Sequence, residues 1–345
     1  MSLTKHPSVG EFLAGCEEHV NPYRPARLAL CPMAADAEIS DVSTSDTARE
    51  GDFVILWGSY TQIFGIVLKH GEIANNRFGN FHHDEIIGRH FGSRVRSRRG
   101  GLWLALLRPS PEFITQSLTH RTQIVYHADI SLLRALLDAR PGHIICEAGT
   151  GSGSVSASLS RALRPNGKLY TFEFHEERQK QAMADFSTYG VLDVVVSQHR
   201  DVCNHGFGEE LKGQVHGVFL DLPAPWAAVP HVTKCLVFGG KVVAFSPCVE
   251  QVDKTATELR RSGYFDVRML ETLATNWGVK RQDATKKKRR TEGTTGTTAA
   301  QEAEEEEPKD VPKTSGTGEQ WLSYQMPMRS HTGYLLVATR APDGD

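Results

Sequence analysis

The sequence lacks the features of several protein classes. It contains no apolar run of the ~18 residues that cross a bilayer and no apolar signal core near its start, so we expect neither a membrane-spanning nor a secreted protein. Its six cysteines form no C-x-x-C pair, which disfavours a zinc site or a disulfide framework and favours a reducing compartment. A net charge of −2 argues against a uniformly basic protein.

The most specific pattern that is present lies between residues 144 and 155. A short apolar run ends in Glu147, three alternating glycines follow in the series E-A-G-T-G-S-G, and Ser154 can begin a helix. A buried strand, a glycine loop and a helix N-terminus in this order are typical of a nucleotide-binding crevice, although an ordinary structural turn is the alternative. The spacing is not the G-x-G-x-x-G of dinucleotide sites, and no Gly-Lys-Ser/Thr phosphate loop follows. It resembles the first motif of class I S-adenosylmethionine (SAM) methyltransferases.

The hydrophobic pattern predicts an α/β protein with a doubly wound sheet behind a small N-terminal β domain. We expect a flexible extension over residues 1–48, a β domain over 49–111, and a larger domain over 112–345 that a low-complexity charged insert interrupts at 278–318. In the larger domain the pattern predicts helices over residues 128–137, 154–163, 176–187 and 248–262, and strands over 143–147, 168–172, 191–197, 215–220, 240–246, 265–273 and 333–338.

The segment between residues 77 and 108 is rich in arginine. With Arg94 and Arg96 near its centre, it holds seven arginines but only two acidic residues, Asp84 and Glu85. Arginines on a loop with glycine and serine suit contacts with RNA phosphates, and a solvated charged loop is the alternative.

Acidic residues follow three of the predicted parallel strands, beside the glycine loop. Glu173 comes about 20 residues after the glycines, where a carboxylate can accept the hydroxyl groups of an adenosine ribose. This ribose is common to NAD and SAM, and capping of the next helix is the alternative role. Asp201 could reach an adenine amine. Asp221 begins D-L-P-A-P-W, which resembles the acidic-Pro-Pro loop by which nitrogen-directed methyltransferases hold a base.

Several further motifs make the resemblance specific. Together they resemble the catalytic subunits of eukaryotic tRNA (adenine-58 N1)-methyltransferases, which are class I SAM-dependent enzymes. The motifs cover residues 88–93, 120–124, 146–155, 173–175, 219–226, 245–251 and 331–334. The extension and the charged insert have no counterpart that we can align.

The resemblance implies SAM as the cosubstrate, tRNA as the substrate, and a heterotetramer of two catalytic subunits with two non-catalytic partner subunits. It places Asp221 beside the methyl group as the catalytic residue. The implied SAM-binding residues are Val125, Glu147, Gly149, Gly151, Ser152, Gly153, Ser154, Glu173, Arg178, Asp201, Val202 and Asp221. Together with the arginine segment, the expected RNA-binding residues are Gln123, Ile124, Tyr126, His127, Leu220, Pro223, Phe245, Ser246, Pro247, Gln251, Thr332, Arg94 and Arg96.

Three other functions remain open at this level. An NAD-dependent oxidoreductase would account for the glycine loop and Glu173 but not for the D-L-P-A-P motif. A non-catalytic RNA-binding paralogue should have lost the glycines or the acids, and a SAM enzyme that acts on another RNA adenine or on protein would share the fold. The basic run at 286–290 is compatible with nuclear localisation, with RNA contact or with no function, and we expect the nucleus, with the cytoplasm as the alternative.

Overall fold

The computed structural model describes residues 46–98, 101–118, 124–275, 277–282, 320–325 and 331–342. Gln123, Arg99, the basic run at 286–290 and nearly all of the predicted extension lie outside the described residues. Ala48 is buried in the core of the β domain, so this core includes a residue of the predicted extension. In the part of the chain that is described, no helix is long and apolar enough to cross a membrane.

The small β domain is built from six strands. They are β1 (Phe53–Ser59), β2 (Gln62–Val67), β3 (Ile73–Asn76), β4 (Gly79–His82), β5 (Arg94–Arg96) and β6 (Trp103–Leu107). Four of them form a sheet in the order β2-β1-β6-β5, and β3 pairs with β4 as a separate hairpin. The strands β1 and β2 form an antiparallel hairpin, and β6 pairs with β1.

The arginine segment is not the single loop that we expected. It contains the strands β4, β5 and β6, and Phe81 of β4 and Val95 of β5 belong to the core of the β domain. His83, which follows β4, is buried, and its Nδ1 accepts a hydrogen bond from the Lys69 amide at 3.1 Å. The alternation of side chains along β5 places Arg94 and Arg96 on its exposed face.

Two helices connect the β domain to the larger domain. The first, α1 (Pro111–Ser117), was missed by the sequence pattern although Ser110 caps it, accepting a hydrogen bond from the Phe113 amide at 3.2 Å. The second, α2 (His127–Leu136), agrees with the prediction to within one residue at each end.

The larger domain is a seven-stranded sheet with helices on both faces. The remaining helices are α3 (Ser154–Leu163), α4 (Glu176–Thr188), α5 (Val202–His205), α6 (Pro225–Cys235) and α7 (Val249–Arg261). The remaining strands are β7 (Ile144–Ala148), β8 (Lys168–Glu173), β9 (Val195–His199), β10 (Val215–Leu220), β11 (Leu236–Ser246), β12 (Tyr264–Glu271), β13 (Trp277–Gln282), β14 (Gln320–Gln325) and β15 (Tyr334–Arg340). The sheet order is β12-β15-β11-β10-β7-β8-β9, and β15 runs antiparallel to both of its neighbours. The predicted doubly wound sheet is confirmed.

Side chains along the central strands point alternately to the two faces of the sheet, and each face has its own hydrophobic core. Ile145 and Phe219 face the layer of α2, α3 and α4, whereas Cys146 and Leu220 face the layer of α6 and α7. Because the central strands are buried on both faces, they read in the sequence as continuous apolar runs. Their parallel arrangement brings the carboxyl ends of β7, β8, β10 and β11 to one edge of the sheet.

The strand β13 pairs with β14 as a two-stranded hairpin. Regular structure therefore extends to Gln282, inside the segment that the composition assigned to the charged insert.

Candidate active site

The glycine loop connects β7 to α3 through a tight turn. Gly149, Gly151 and Gly153 have φ values of 95°, 54° and 77°, a region that side chains with a Cβ rarely adopt. The Gly149 amide donates to the Phe172 carbonyl at 2.9 Å, which holds the start of the loop against the end of β8.

Gly149 also makes the closest approach in the site. A Cβ on this residue would lie 2.1 Å from the carbonyl oxygen of Asp221, so only glycine lets the loops after β7 and β10 touch. The Asp221 amide donates to the Ala148 carbonyl at 2.9 Å and joins the same two loops. Gly149 and Asp221, which are 72 positions apart in the sequence, are thereby fixed as neighbours.

Glu173, at the end of β8, is buried with an exposed fraction of 2%. Its Oε1 accepts three hydrogen bonds, one from the His175 amide at 3.0 Å and two from the Arg178 guanidinium at 3.0 and 2.7 Å. Its Oε2 accepts one, from the Gly151 amide at 3.0 Å. Since each carboxylate oxygen has two lone pairs, Oε2 retains room for a ribose hydroxyl. The half-exposed Arg178 would have to move before Glu173 could accept both hydroxyls.

Glu147 lies beneath the loop and is 1% exposed. Its carboxylate accepts a hydrogen bond from the Ser156 hydroxyl of α3. Burial raises the pKa of Glu147 to about 7, against the lowering effect of the hydroxyl groups of Ser156 and Thr171. A fully buried carboxyl that contacts α3 supports the loop from inside the protein.

Asp221 is the least constrained of the three central carboxylates. No donor among the described residues is hydrogen-bonded to its carboxylate. Burial and the negative charge of Glu173 raise its pKa to about 7. The loop that carries it is held at Pro223, whose carbonyl accepts from the Gln251 side chain at 3.0 Å. The loop is therefore fixed while its carboxylate remains available.

Asp201 follows β9 and caps α5. Its Oδ1 accepts from the amides of Cys203 and Asn204, and its Oδ2 accepts from the Asn204 side chain at 2.7 Å. Burial acts to raise the pKa of Asp201, but the Asn204 side chain and the two amides outweigh it and lower the pKa. Only Oδ2 retains capacity for an adenine amine, and Val202 beside it is buried.

The other expected SAM-binding residues surround the start of α3. The Val125 carbonyl lies 3.4 Å from the Ser154 hydroxyl, which also contacts the Thr115 hydroxyl at 2.8 Å. Ser152 and Ser154 are both buried. This arrangement ties α1 and the segment before α2 to the glycine loop.

The expected RNA-binding residues divide into two groups. Ile124, Leu220 and Phe245 have buried side chains, so only their backbone groups could meet RNA. The others whose side chains are at least partly exposed are Tyr126, His127, Pro223, Pro247, Gln251, Thr332, Arg94 and Arg96. Ser246 is buried, and its hydroxyl has no hydrogen-bond partner in the described part of the chain.

Arg94 and Arg96 lie on β5, remote in sequence from the other residues of the site. Both are exposed, and Val95 between them is buried. The Arg94 guanidinium stacks on the Trp103 ring at 4.1 Å from its centroid. Neither arginine has an acidic partner within the described residues, whereas Arg98 pairs with Glu85 at 2.7 Å. Both retain free N–H groups for a phosphate.

Two further groups near the site were not found from the sequence. Thr150 and Thr171 bring their hydroxyls to 2.6 Å across the loop, and Asp129 of α2 is buried although it looks like a surface residue of the helix. The helical pattern carried a signal for Asp129, since it lies four positions before the buried Leu133 and therefore on the same face of α2.

Comparison with known proteins agrees with this geometry. The family model described as "tRNA methyltransferase complex GCD14 subunit" matches residues 102–340. A Candida albicans protein named tRNA (adenine(58)-N(1))-methyltransferase catalytic subunit is 41% identical over 239 residues, which cover 68% of this chain and 70% of that protein. A Cryptococcus neoformans protein of the same name is 44% identical over 227 residues, which cover 65% of this chain and 52% of that protein.

Solved structures show the same fold. A SAM-dependent O-methyltransferase from Thermotoga maritima has a TM-score of 0.68 and 25% identity, covering 87% of this chain and 97% of its own. The tRNA (m1A58) methyltransferase TrmI from Aquifex aeolicus has a TM-score of 0.62 and 22% identity, covering 86% of this chain and 99% of its own. The chain therefore belongs to the family of tRNA methyltransferase complex GCD14 subunits, and it has the class I SAM-dependent methyltransferase fold.

Proposed function

We propose that this chain is the catalytic subunit of a tRNA (adenine-58 N1)-methyltransferase, which transfers a methyl group from SAM to N1 of adenine 58. The observation that carries the proposal is the position of Asp221. Its backbone lies against the glycine loop, its carboxylate has no protein donor in the described structure, and the loop that carries it is held by Gln251. The curated relatives carry this activity in their names.

The residues around the glycine loop fit SAM. The absence of a Cβ at Gly149 lets the loops after β7 and β10 meet, and Oε2 of Glu173 has room for a ribose hydroxyl. We assign the adenosine part to Glu173, Asp201 and Val202. The loop and Val125 would hold the amino acid part, while Glu147 supports the loop and Arg178 orients Glu173.

The reaction does not require a strong general base from the protein. Bound SAM supplies a methyl group on a positively charged sulfur. The N1 atom of adenine has a free lone pair, so no proton must leave before it attacks, but the methylated ring becomes a cation. Asp221 would accept a hydrogen bond from the adenine amine and stabilise the positive charge that develops on the ring. Because N1 lies on the pairing edge, the base must leave its folded loop to reach Asp221.

The complex must also hold the rest of the tRNA. We assign the edge formed by Tyr126, His127, Pro223 and Thr332 to the target base and its neighbours, and Arg94 and Arg96 to phosphates. The family description makes the chain a subunit of a complex. We also propose that the complex is a tetramer of two catalytic and two partner subunits and that it acts in the nucleus.

The direct test is to incubate the full chain, with and without its partner subunit, with tRNA and labelled SAM. We expect label at N1 of adenine 58, located by mass spectrometry of nuclease fragments. A tRNA in which adenine 58 is replaced by uridine is the matched control and should accept no label. Label on another nucleotide or on protein would contradict the proposal.

The raised pKa of Asp221 predicts a pH dependence. The ionised carboxylate is the active form, so kcat/KM should fall about tenfold per pH unit below a pKa of about 7 and level off above it.

The free energy of unfolding should follow the opposite trend with pH. An unfolded carboxyl loses its proton near 4, whereas folded Asp221 and Glu147 hold theirs up to about 7, so their contribution to stability falls as the pH rises between these values.

Rate profiles and thermal unfolding at pH 5 to 9 would check both trends. In Asp221→Asn, the residual kcat/KM should no longer fall as the pH drops below about 7. An unchanged profile in this variant would show that another group titrates.

A further inference from the structure

A buried carboxylate outside the catalytic centre has no role in the reaction described so far. Asp129 lies in the first turn of α2 and is 1% exposed. Within the described residues, neither of its side-chain oxygens receives a hydrogen bond of good geometry. An unpaired carboxylate in such a place costs free energy, so the free protein carries an unfavourable group here.

Two hydroxyl groups lie beside Asp129 and are also unused. They belong to Thr272, directly after β12, and to Thr332, shortly before β15, and both oxygens are buried without a hydrogen-bond partner in the described structure. Burial raises the pKa of Asp129, and the nearby hydroxyls of Thr332 and Thr272 only partly oppose this. Two donors therefore stand next to one acceptor with their hydrogen-bonding capacity unfilled.

The position of these groups connects them to the RNA-binding edge. Asp129 follows Tyr126 and His127 at the N-terminus of α2, and Thr332 is itself an expected RNA contact. The neighbour Gly333 lies so close to the Phe245 ring that a Cβ would be 2.3 Å from it. The segment around Thr332 is thereby pressed against the end of β11, on the edge that carries Asp221.

A second contact ties the same segment to β12. The His331 ring is hydrogen-bonded to the Glu271 carboxylate at 2.5 Å, and Glu271, the last residue of β12, pairs with Tyr334, the first residue of β15. The segment is thus fixed on its outer side, while its inner side faces the unpaired carboxylate. A hydrogen bond from Thr332 to Asp129 would fix the segment on its inner side as well.

We propose that Asp129 is a positioning residue for tRNA: when RNA is bound, its carboxylate accepts hydrogen bonds from the Thr332 and Thr272 hydroxyls and locks the segment at 331–333 to the N-terminus of α2. The inference rests on the proposed function, because it assigns this edge to tRNA. Asp129 touches neither reacting atom and acts through Thr332 and through Tyr126 and His127. The bond energy is gained only in the bound state, so it should appear as affinity for tRNA.

The test uses Asp129→Asn, Thr332→Val and the double variant in the full chain purified with its partner subunit. Each single variant should raise the Kd for tRNA about tenfold, the effect of one hydrogen bond to a charged group. In Asp129→Asn, kcat and the Kd for SAM should be unchanged. Because the Thr332 bond is one of the two bonds that end at Asp129, adding Thr332→Val to Asp129→Asn should not weaken tRNA binding further.

Thermal unfolding separates this role from a merely structural one. Loss of an unpaired buried charge should leave the melting temperature of Asp129→Asn at or above that of the wild type. Unchanged tRNA affinity, additive losses in the double variant, or a lower melting temperature with equal losses for SAM and tRNA would each overturn the proposal. A wild-type complex that binds tRNA without methylating it would contradict the proposed function instead, while the tRNA affinities would still report on Asp129.

Discussion

Replacing Asp221 with alanine should lower kcat for tRNA methylation by a factor of about 10²–10³. The loss follows from removing the one carboxylate placed to balance the positive charge that adenine acquires. Affinity for SAM should remain close to that of the wild type, since the adenosine contacts assigned to Glu173, Asp201 and Val202 remain. Single-turnover rates with labelled SAM and calorimetric SAM binding measure the two quantities separately.

The matched control is Asp253→Ala, which removes an exposed carboxylate from α7. It should leave both the rate and SAM binding unchanged. The Asp221→Ala protein should also be at least as stable as the wild type, because its buried carboxylate is costly to ionise in the folded state. Wild-type turnover in Asp221→Ala would remove this residue from the mechanism.

The parts of the fold that the sequence predicted best are those with a local cause. The bounds of α3 and β10 agree with the prediction because Gly153 and Ser154 mark the helix start and Asp221 follows the apolar run. The strand β11 was predicted to begin at Gly240 but begins at Leu236. Val215 pairs with Leu236 and Gly217 with Lys241, so the glycines that look like a turn form an irregularity within the strand.

Other differences have a tertiary cause. The apolar run from Val191 predicts an early start for β9, but the strand begins at Val195. The first residues of the run turn back, since the Val191 amide donates to the Phe186 carbonyl at 3.1 Å at the end of α4. Their apolar character serves the core, and no local signal separates this use from pairing in the sheet.

Site residues could be predicted where a sequence motif includes them. They could not be predicted where contacts between separate elements determine their surroundings. Glu173 and Asp221 could be found because each follows a strand at the same edge. The occupation of Oε1 of Glu173 by Arg178, the burial of Glu147 and the unpaired state of Asp129 depend on side chains from separate elements. A single sequence carries no record of these contacts, and they determine which carboxylates can still bind a ligand.

Replacing Gly149 with alanine should have the second large effect. The new methyl group would lie 2.1 Å from the Asp221 carbonyl oxygen, and the φ of 95° is unfavourable for alanine. We expect a loss of about 2–5 kcal/mol in the free energy of unfolding, from backbone strain and overpacking together. SAM binding should also be lost, because separating the loops after β7 and β10 moves both walls of the site.

Gly142→Ala separates the two causes. Gly142 has a similar φ of 84°, but a Cβ there would meet no atom within 4 Å. It should lose only the strain of about 1–3 kcal/mol and retain SAM binding. Denaturant unfolding and calorimetry on both variants measure the difference. If Gly149→Ala were no less stable than Gly142→Ala and bound SAM normally, the loop that carries Asp221 would not rest on the glycine loop, and the glycine motif would act on the cosubstrate alone.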